Sequence, residues 1–273
     1  MNRYFDKTNN RLIYVGETAS DTFWDNHWKS DDPDFEKRVR AGHDSFVIDN
    51  TKKYLPSGAR ILEGGCGQAD KVYALLRCGY DAYGLDYARQ IVEKINQCVP
   101  ELKVCFGDVR QLPFPDSFFD GYWSLGVIEH YYDGYDRILQ EMHRVLNEGG
   151  YLFVTVPVMS WLRRKKAKLG RYPEYKSSEK TRENFYQFAF EPQQVIDDLK
   201  RAGFKLIDVK PYDGVKGLKD EILMLKPFLQ PLYEASTLPA SVLKRILDFT
   251  LRRFANHMSL FIMRKVERPV EAD

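Results

Sequence analysis

Four acids and a group of glycines carry the most legible chemistry in this chain. Glu63, Gly65 and Gly67 stand in the stretch ILEGGCGQAD, residues 61–70, where strand-like apolar residues give way to a helix-like segment. A glycine-rich turn between a strand and a helix presents backbone N–H groups and usually cradles a nucleotide. A dinucleotide turn needs a third glycine near the pyrophosphate, and Asp70 stands in that place. A carboxylate there opposes a phosphate but tolerates a ligand without one. Glu63, two residues ahead of Gly65, is an acid able to hold an ammonium group. The pattern Glu63-x-Gly65-x-Gly67 therefore suits a ligand that carries an amine and no phosphate. Asp86 follows at the separation of a ribose-binding acid, which dinucleotide enzymes share, so alone it does not discriminate. Asp108 reads equally as a ligand acceptor and as a turn cap ahead of Pro113.

The elements that must position these acids alternate regularly. ARILEGG reads as a strand, followed by a helix with Val72, Leu75 and Leu76 on one face and Gly79 at its close. YDAYGLD is a second strand, and a helix carrying Ile91, Val92 and Ile95 stops before Pro100. LKVCFGD and FFDGYWSLGV are the third and fourth strands. A helix with the stripe Tyr135, Ile138, Leu139, Met142, Val145 and Leu146 leads through Gly149 and Gly150 to a fifth, GYLFVTVP. EPQQVIDDLKRAGF is a helix with Pro192 in its first turn and Gly203 as its stop. KLIDVKP and MSLFIMRKV give a sixth strand and a last one. Strands alternating with helices at this spacing build a parallel, doubly wound α/β sheet with right-handed crossovers. Residues 34–54 are helix-like, with Phe35, Val39, Phe46 and Val47 in phase, whereas the aromatic first thirty residues resist assignment.

Residues 57–157 resemble the core of a class I S-adenosylmethionine-dependent methyltransferase, through four stretches in register. ILEGGCG resembles the motif whose acid and glycines hold the methionine part of that cofactor. GLDYA places Asp86 where the family's acid accepts both ribose hydroxyls. FGDVRQLPFPDSFFD resembles the adenine-side motif, and HRVLNEGGYLFVTVP the helix-to-strand signature. The resemblance implies a Rossmann-like seven-stranded sheet of order 3-2-1-4-5-7-6 with the last strand antiparallel. It assigns cofactor contacts to Glu63, Gly64, Gly65, Gly67, Asp86, Tyr87, Asp108, Val109 and Leu125, with S-adenosyl-L-homocysteine as the product. The domain reading that follows is an N-terminal helical cap over 1–56, the cofactor-binding core over 57–157, and the remainder of the same domain over 158–273. That remainder carries substrate-side insertions at 158–188 and 213–256.

Methyl transfer from a sulfonium is an in-line displacement, so catalysis rests largely on positioning and desolvation. A hydroxyl acceptor also needs a base for its proton. Ligands of open α/β sheets sit beyond the carboxyl ends of the strands, which puts LGVIEHYYDGY in the mouth of the site. His130 is the best-placed base there, with Glu129, Tyr131 and Tyr132 around it; the same pair equally reads as pocket lining. His143 reads as a surface residue, and His27, His43 and His257 show no partner pattern. No clustering of His and carboxylates points to a metal, so none is expected.

Composition narrows the class further. With 44% hydrophobic and 29% charged residues and a net charge of +2, the 273-residue chain is globular and has no global field for nucleic acid. No Asn/Asp-Pro-Pro-aromatic motif follows the fourth strand, which also argues against a nucleic-acid base as acceptor. No run of 18 apolar residues or signal-like N-terminus occurs, and Cys66, Cys78, Cys98 and Cys105 lack paired spacing, so the expected location is the cytoplasm. The expected acceptor is a small molecule, lipid or glycan, methylated on oxygen. The basic run RRKKAKLGR, residues 163–171, reads either as a solvated face or as a lid over an anionic substrate or membrane. The amphipathic segment 241–254 reads as core packing or a dimer face, with peripheral membrane contact as the alternative. Trp24 and Trp28 either close over the cofactor or form a small cluster. The competing functions are a nicotinamide oxidoreductase and a regulatory protein that binds the cofactor without turnover.

Overall fold

Residues 1–20, 23–24, 28, 32–234 and 238–266 are described in a computed structural model of the chain. The chain opens on a hairpin, β1 (Asn2–Asp6) and β2 (Arg11–Val15), followed by α1 (Phe35–Arg40) and α2 (Ser45–Tyr54). The regular alternation is then β3 (Arg60–Gly64), α3 (Asp70–Arg77), β4 (Asp81–Asp86), α4 (Arg89–Cys98) and β5 (Lys103–Phe106). It continues through β6 (Phe119–Leu125), α5 (Asp136–Val145) and β7 (Leu146–Pro157). Beyond lie α6 (Trp161–Lys168), α7 (Glu179–Glu183), β8 (Phe185–Ala189), α8 (Pro192–Arg201) and β9 (Phe204–Tyr212). Three helices, α9 (Gly214–Glu221), α10 (Lys226–Glu234) and α11 (Leu238–Leu251), precede β10 (Met258–Lys265).

Seven strands form one sheet in the order β5-β4-β3-β6-β7-β10-β9. Renumbered along the sheet's own strands, this is the expected 3-2-1-4-5-7-6. β3 pairs in parallel with β4 and with β6, and β4 with β5, so the acids and glycines at their ends emerge along one edge. The packing divides the chain into two compact units. One comprises Met1–Thr18, Thr155–Ile196 and Asp208–Phe261; the other comprises Ala19–Val154, Asp197–Ile207 and Ile262–Asp273.

In the second of these units the core forms where apolar strand residues meet the helical stripes. Ile138, Leu139, Met142 and Val145 of α5 are all buried, as the period of the stripe requires. Trp123 of β6 stacks on Phe153 at 4.3 Å, and its indole N–H donates to Thr51 Oγ1 at 3.0 Å. A buried indole with its polar atom satisfied anchors a core, and truncation of such a residue to alanine costs about 3–5 kcal/mol. His143 departs from its surface reading: it is half-buried, with its ring edge-on to Phe204 at 5.4 Å. The α5 stripe leaves room for a neighbour from Asp197–Ile207 that a single helix pattern does not reveal.

The first unit holds a second sheet, order β1-β2-β8, that the sequence reading missed. The segment read as a helical cap therefore begins with a hairpin. Its turn is built by Asp6, whose carboxylate accepts from the Thr8 and Asn9 backbone N–H groups at 3.1 and 3.2 Å. The basic run over 163–171 is also more than a solvated face. Arg163 in α6 is fully buried, with its Nε 3.0 Å from Glu221 Oε1 and its Nη1 donating to the Val158 carbonyl at 2.7 Å. Arg3 and Lys166 reach the same carboxylate at 2.6 and 2.8 Å, and the Tyr172 hydroxyl donates to it at 2.5 Å. Burial pushes the Glu221 carboxyl up, but these cations outweigh it and hold the carboxyl down at about 2. His257, given no partner by its sequence context, is buried with Arg163 at 2.8 Å on Nδ1 and Lys216 at 2.5 Å on Nε2. Burial and those cations hold it well below the ordinary histidine value, hence neutral. His43 is exposed, and His27 lies outside the described residues.

Candidate active site

In the unit that contains Ala19–Val154, a cavity of about 320 Å³ opens at the carboxyl ends of β3, β4 and β6 and in the segment following β5. Its floor is the glycine turn. Gly65 and Cys66 both donate backbone N–H to the Leu85 carbonyl, at 2.8 and 3.1 Å, which hooks the end of β3 onto the end of β4. Gly65 has φ +78 and Gly67 φ +50, where side chains are strained. A Cβ on Gly67 would also stand 2.6 Å from the Trp28 ring, so glycine is what lets that indole lie on the turn.

Asp86, at the end of β4, is buried and held from two sides. Its Oδ2 accepts from Gly67 N–H at 2.8 Å and its Oδ1 from Ala88 N–H at 2.9 Å. Two amide donors fix the carboxylate at the crossing of turn and strand, while a carboxylate has about four acceptor sites. Glu63 sits inside β3, opposite Gly84 and Trp123. It is 3% exposed, lines the cavity, and its Oε2 finds no hydrogen-bond partner among the described residues. Burial pushes its carboxyl well up, against the pull of Lys71. A buried acceptor in that condition favours a ligand that brings a donor, and above all a cation.

Asp108, in the segment after β5, is more engaged than a ligand contact alone requires. It accepts from the Arg110 backbone N–H at 2.8 Å and pairs with the Arg110 guanidinium at 2.6 Å. Burial raises this carboxyl, but Arg110 prevails and leaves it below its ordinary value. Both the turn-cap and the cavity-lining descriptions therefore apply to it. Val109, Leu125 and Tyr87 line the cavity as well, the Tyr87 hydroxyl donating to the Ala19 carbonyl at 3.1 Å. Gly64 and Gly67 do not line it; Gly64 ends β3 against the Tyr122 hydroxyl.

The opposite wall is aromatic. Trp24 and Trp28 stack with centroids 5.9 Å apart, and His130 meets Trp24 edge-on at 5.1 Å. Tyr131 also lines the cavity, but Glu129 turns away from it into the interior, 2% exposed. Burial pushes the Glu129 carboxyl up to about 8. Sequence reasoning missed Cys66, Lys71 and Arg110. Arg110 was detectable, since an Asp two residues before an Arg commonly closes a turn on it. Lys71 Nζ stands 3.0 Å from Asp70, which softens the opposition to phosphate read from Asp70 alone. The lining still carries Asp70, Asp86 and Asp108 against Lys71 and Arg110, with Glu63 able to ionise opposite a cation, a balance that favours a cationic ligand. An orphaned Glu63 oxygen, a fixed Asp86 and indole faces fit a ligand with an ammonium, a ribose and a sulfonium.

Comparison with known proteins points to a methyltransferase domain. A family model described as a methyltransferase domain matches residues 62–154. A demethylmenaquinone methyltransferase of Lysinibacillus sphaericus (strain C3-41) is 34% identical over 99 residues, which span 34% of this chain and 42% of that protein. The chain thus spans under half the length of that relative. A demethylmenaquinone methyltransferase of Geobacillus kaustophilus (strain HTA426) is 29% identical over 204 residues, 65% of this chain and 82% of that protein. The crystal structure of the [4+2]-cyclase SpnF superposes with a TM-score of 0.55 at 18% identity, covering 94% of this chain and 99% of that one. At that identity the likeness speaks for the fold alone.

Proposed function

We propose that this chain, whose residues 62–154 match a methyltransferase-domain family model, is a class I S-adenosylmethionine-dependent methyltransferase that methylates a hydroxyl-bearing planar aromatic small molecule. The observation that carries this reading is the cavity itself, acidic on its floor and walled by Trp24, Trp28 and His130. When bound, S-adenosylmethionine supplies an electrophilic methyl group on a positively charged sulfur. Glu63 would hold its ammonium group, Asp86 its ribose hydroxyls, and the Asp108–Val109 segment its adenine. The Trp24 and Trp28 faces would bind a flat acceptor and exclude water from the reacting atoms. His130 would take the acceptor's hydroxyl proton as the new O–CH3 bond forms and the C–S bond breaks. Lipid acceptors fit the aromatic wall less well, because aliphatic chains gain less from stacked indoles. Relatives named for demethylmenaquinone favour a second reading, in which the same proton removal activates an adjacent ring carbon.

Transfer of labelled methyl from S-adenosylmethionine to a panel of dihydroxynaphthalenes, catechols, sugars and fatty acids tests the acceptor class. Label should enter the aromatic hydroxyl compounds. His130→Ala should lower kcat on them by roughly 100-fold or more, with affinity for S-adenosylhomocysteine unchanged. Label in sugars alone, or full turnover by His130→Ala, would overturn the acceptor class or the base, respectively.

A further inference from the structure

In the first unit, α11 carries its large apolar side chains on the outside. Val242, Ile246 and Phe249 fall on one stripe at i, i+4 and i+7 and are 56%, 56% and 64% exposed. A helix of a globular unit normally turns such a stripe inward, so packing within the unit does not account for it. The cations of this segment are Lys244, Arg245, Arg252 and Arg253, and Asp248 is the only acid in residues 239–254. Asp248 is spent inward: its Oδ1 accepts from the Val215 N–H in the first turn of α9 at 2.8 Å. Arg252 lies over the Phe249 ring at 4.0 Å, so a cation and an apolar ring reach solvent together. The apolar surface continues through Phe254, whose ring meets Trp161 at 5.0 Å, and Trp161 is itself 49% exposed with Lys165 above it. In the preceding helical segment Met224 and Phe228 are 85% and 76% exposed.

We propose that this face docks on the surface of an anionic lipid bilayer, with α11 lying in the plane of the interface. An exposed stripe of Ile, Val and Phe with Trp beside it, flanked by Lys and Arg, is the composition that settles at the boundary between headgroups and acyl chains. Lys244 is turned onto the Tyr233 ring at 4.2 Å, and Arg245, Arg252 and Arg253 contact anionic headgroups while their stems cover apolar surface. Among the described residues no helix is long and apolar enough to cross a membrane, so the contact is peripheral. A second copy of the chain is the poorer occupant. In a two-fold dimer the face would meet itself and bring the same cations together. This proposal is independent of the methyl acceptor.

Sedimentation of the full chain with lipid vesicles tests it. Vesicles of phosphatidylcholine with about 30% phosphatidylglycerol should carry the protein down, and pure phosphatidylcholine should do so at least tenfold less well. Arg252→Gln with Arg253→Gln should weaken binding roughly 25-fold, about fivefold for each cation. Ile246→Ser with Phe249→Ser should abolish binding. These positions are exposed or, for Arg252, half-exposed, and circular dichroism confirms that each variant is folded. Equal binding to neutral and anionic vesicles, no binding by the folded wild type, or a dimer that Phe249→Ser dissociates in the absence of vesicle binding would each overturn the proposal.

Discussion

Replacing Glu129 by glutamine should change the pH dependence of stability in a way its burial dictates. The carboxyl, 2% exposed and with Oε2 lacking a hydrogen-bond partner among the described residues, titrates at about 8 in the folded chain. In the unfolded chain it titrates near the ordinary glutamate value of 4.5. Between those values the native state holds a proton that the unfolded state has lost. Stability therefore falls as pH rises, by about 1.4 kcal/mol per pH unit for this one group. Across the interval from 4.5 to about 8, the full effect is about 5 kcal/mol. Glutamine has nearly the same shape and does not ionise. The variant should match the wild type near pH 4.5 and become progressively more stable than it up to about pH 8. Urea denaturation followed by circular dichroism, repeated across that range, reads the difference, and groups common to both proteins cancel in it. A constant gap from pH 5 to pH 8 would falsify the assignment of a neutral, buried Glu129.

Two further outcomes follow from the buried acids. S-adenosylhomocysteine binding should release protons, because the raised Glu63 carboxyl ionises when an ammonium group reaches it. Calorimetry in buffers of different ionisation enthalpy detects the release, and Glu63→Gln should abolish most of it. Glu221→Gln should cost about 3 kcal/mol at neutral pH, from a carboxyl held at about 2 against an ordinary glutamate value of 4.5. Because that carboxyl is depressed in the folded state, its contribution is present above pH 4.5 and lost as pH falls towards 2. Thermal unfolding of wild type and variant should therefore converge in acid; curves that stay parallel would refute the ion cluster as a source of stability.

The sequence made the seven-stranded sheet legible because most of its strands adjoin a helix with a clean apolar period, as α5 shows with Ile138, Leu139, Met142 and Val145. The glycine turn and the acids after β3, β4 and β5 were legible for a related reason: local spacing fixes them to strand ends. The hairpin β1–β2 was not, since its turn residues Lys7–Asn10 sit among aromatics and its third strand, β8, comes from far along the chain. Arg163 and Lys166 looked like solvated charges because their counter-ion, Glu221, is 58 and 55 residues away. The partners of His257 and the placing of Trp24 beside His130 are likewise tertiary facts that no local pattern encodes.

The cavity at the strand ends should hold S-adenosylmethionine through Glu63 and Asp86. Calorimetric titration of wild type and Asp86→Asn with S-adenosylhomocysteine, with NAD+ as the competing ligand, tests it most directly. The expected result is one S-adenosylhomocysteine site per chain, no NAD+ binding, and an affinity at least about tenfold weaker in Asp86→Asn, which keeps the shape of the side chain but not its charge. Binding of NAD+ without S-adenosylhomocysteine, or an unchanged affinity in Asp86→Asn, would contradict it.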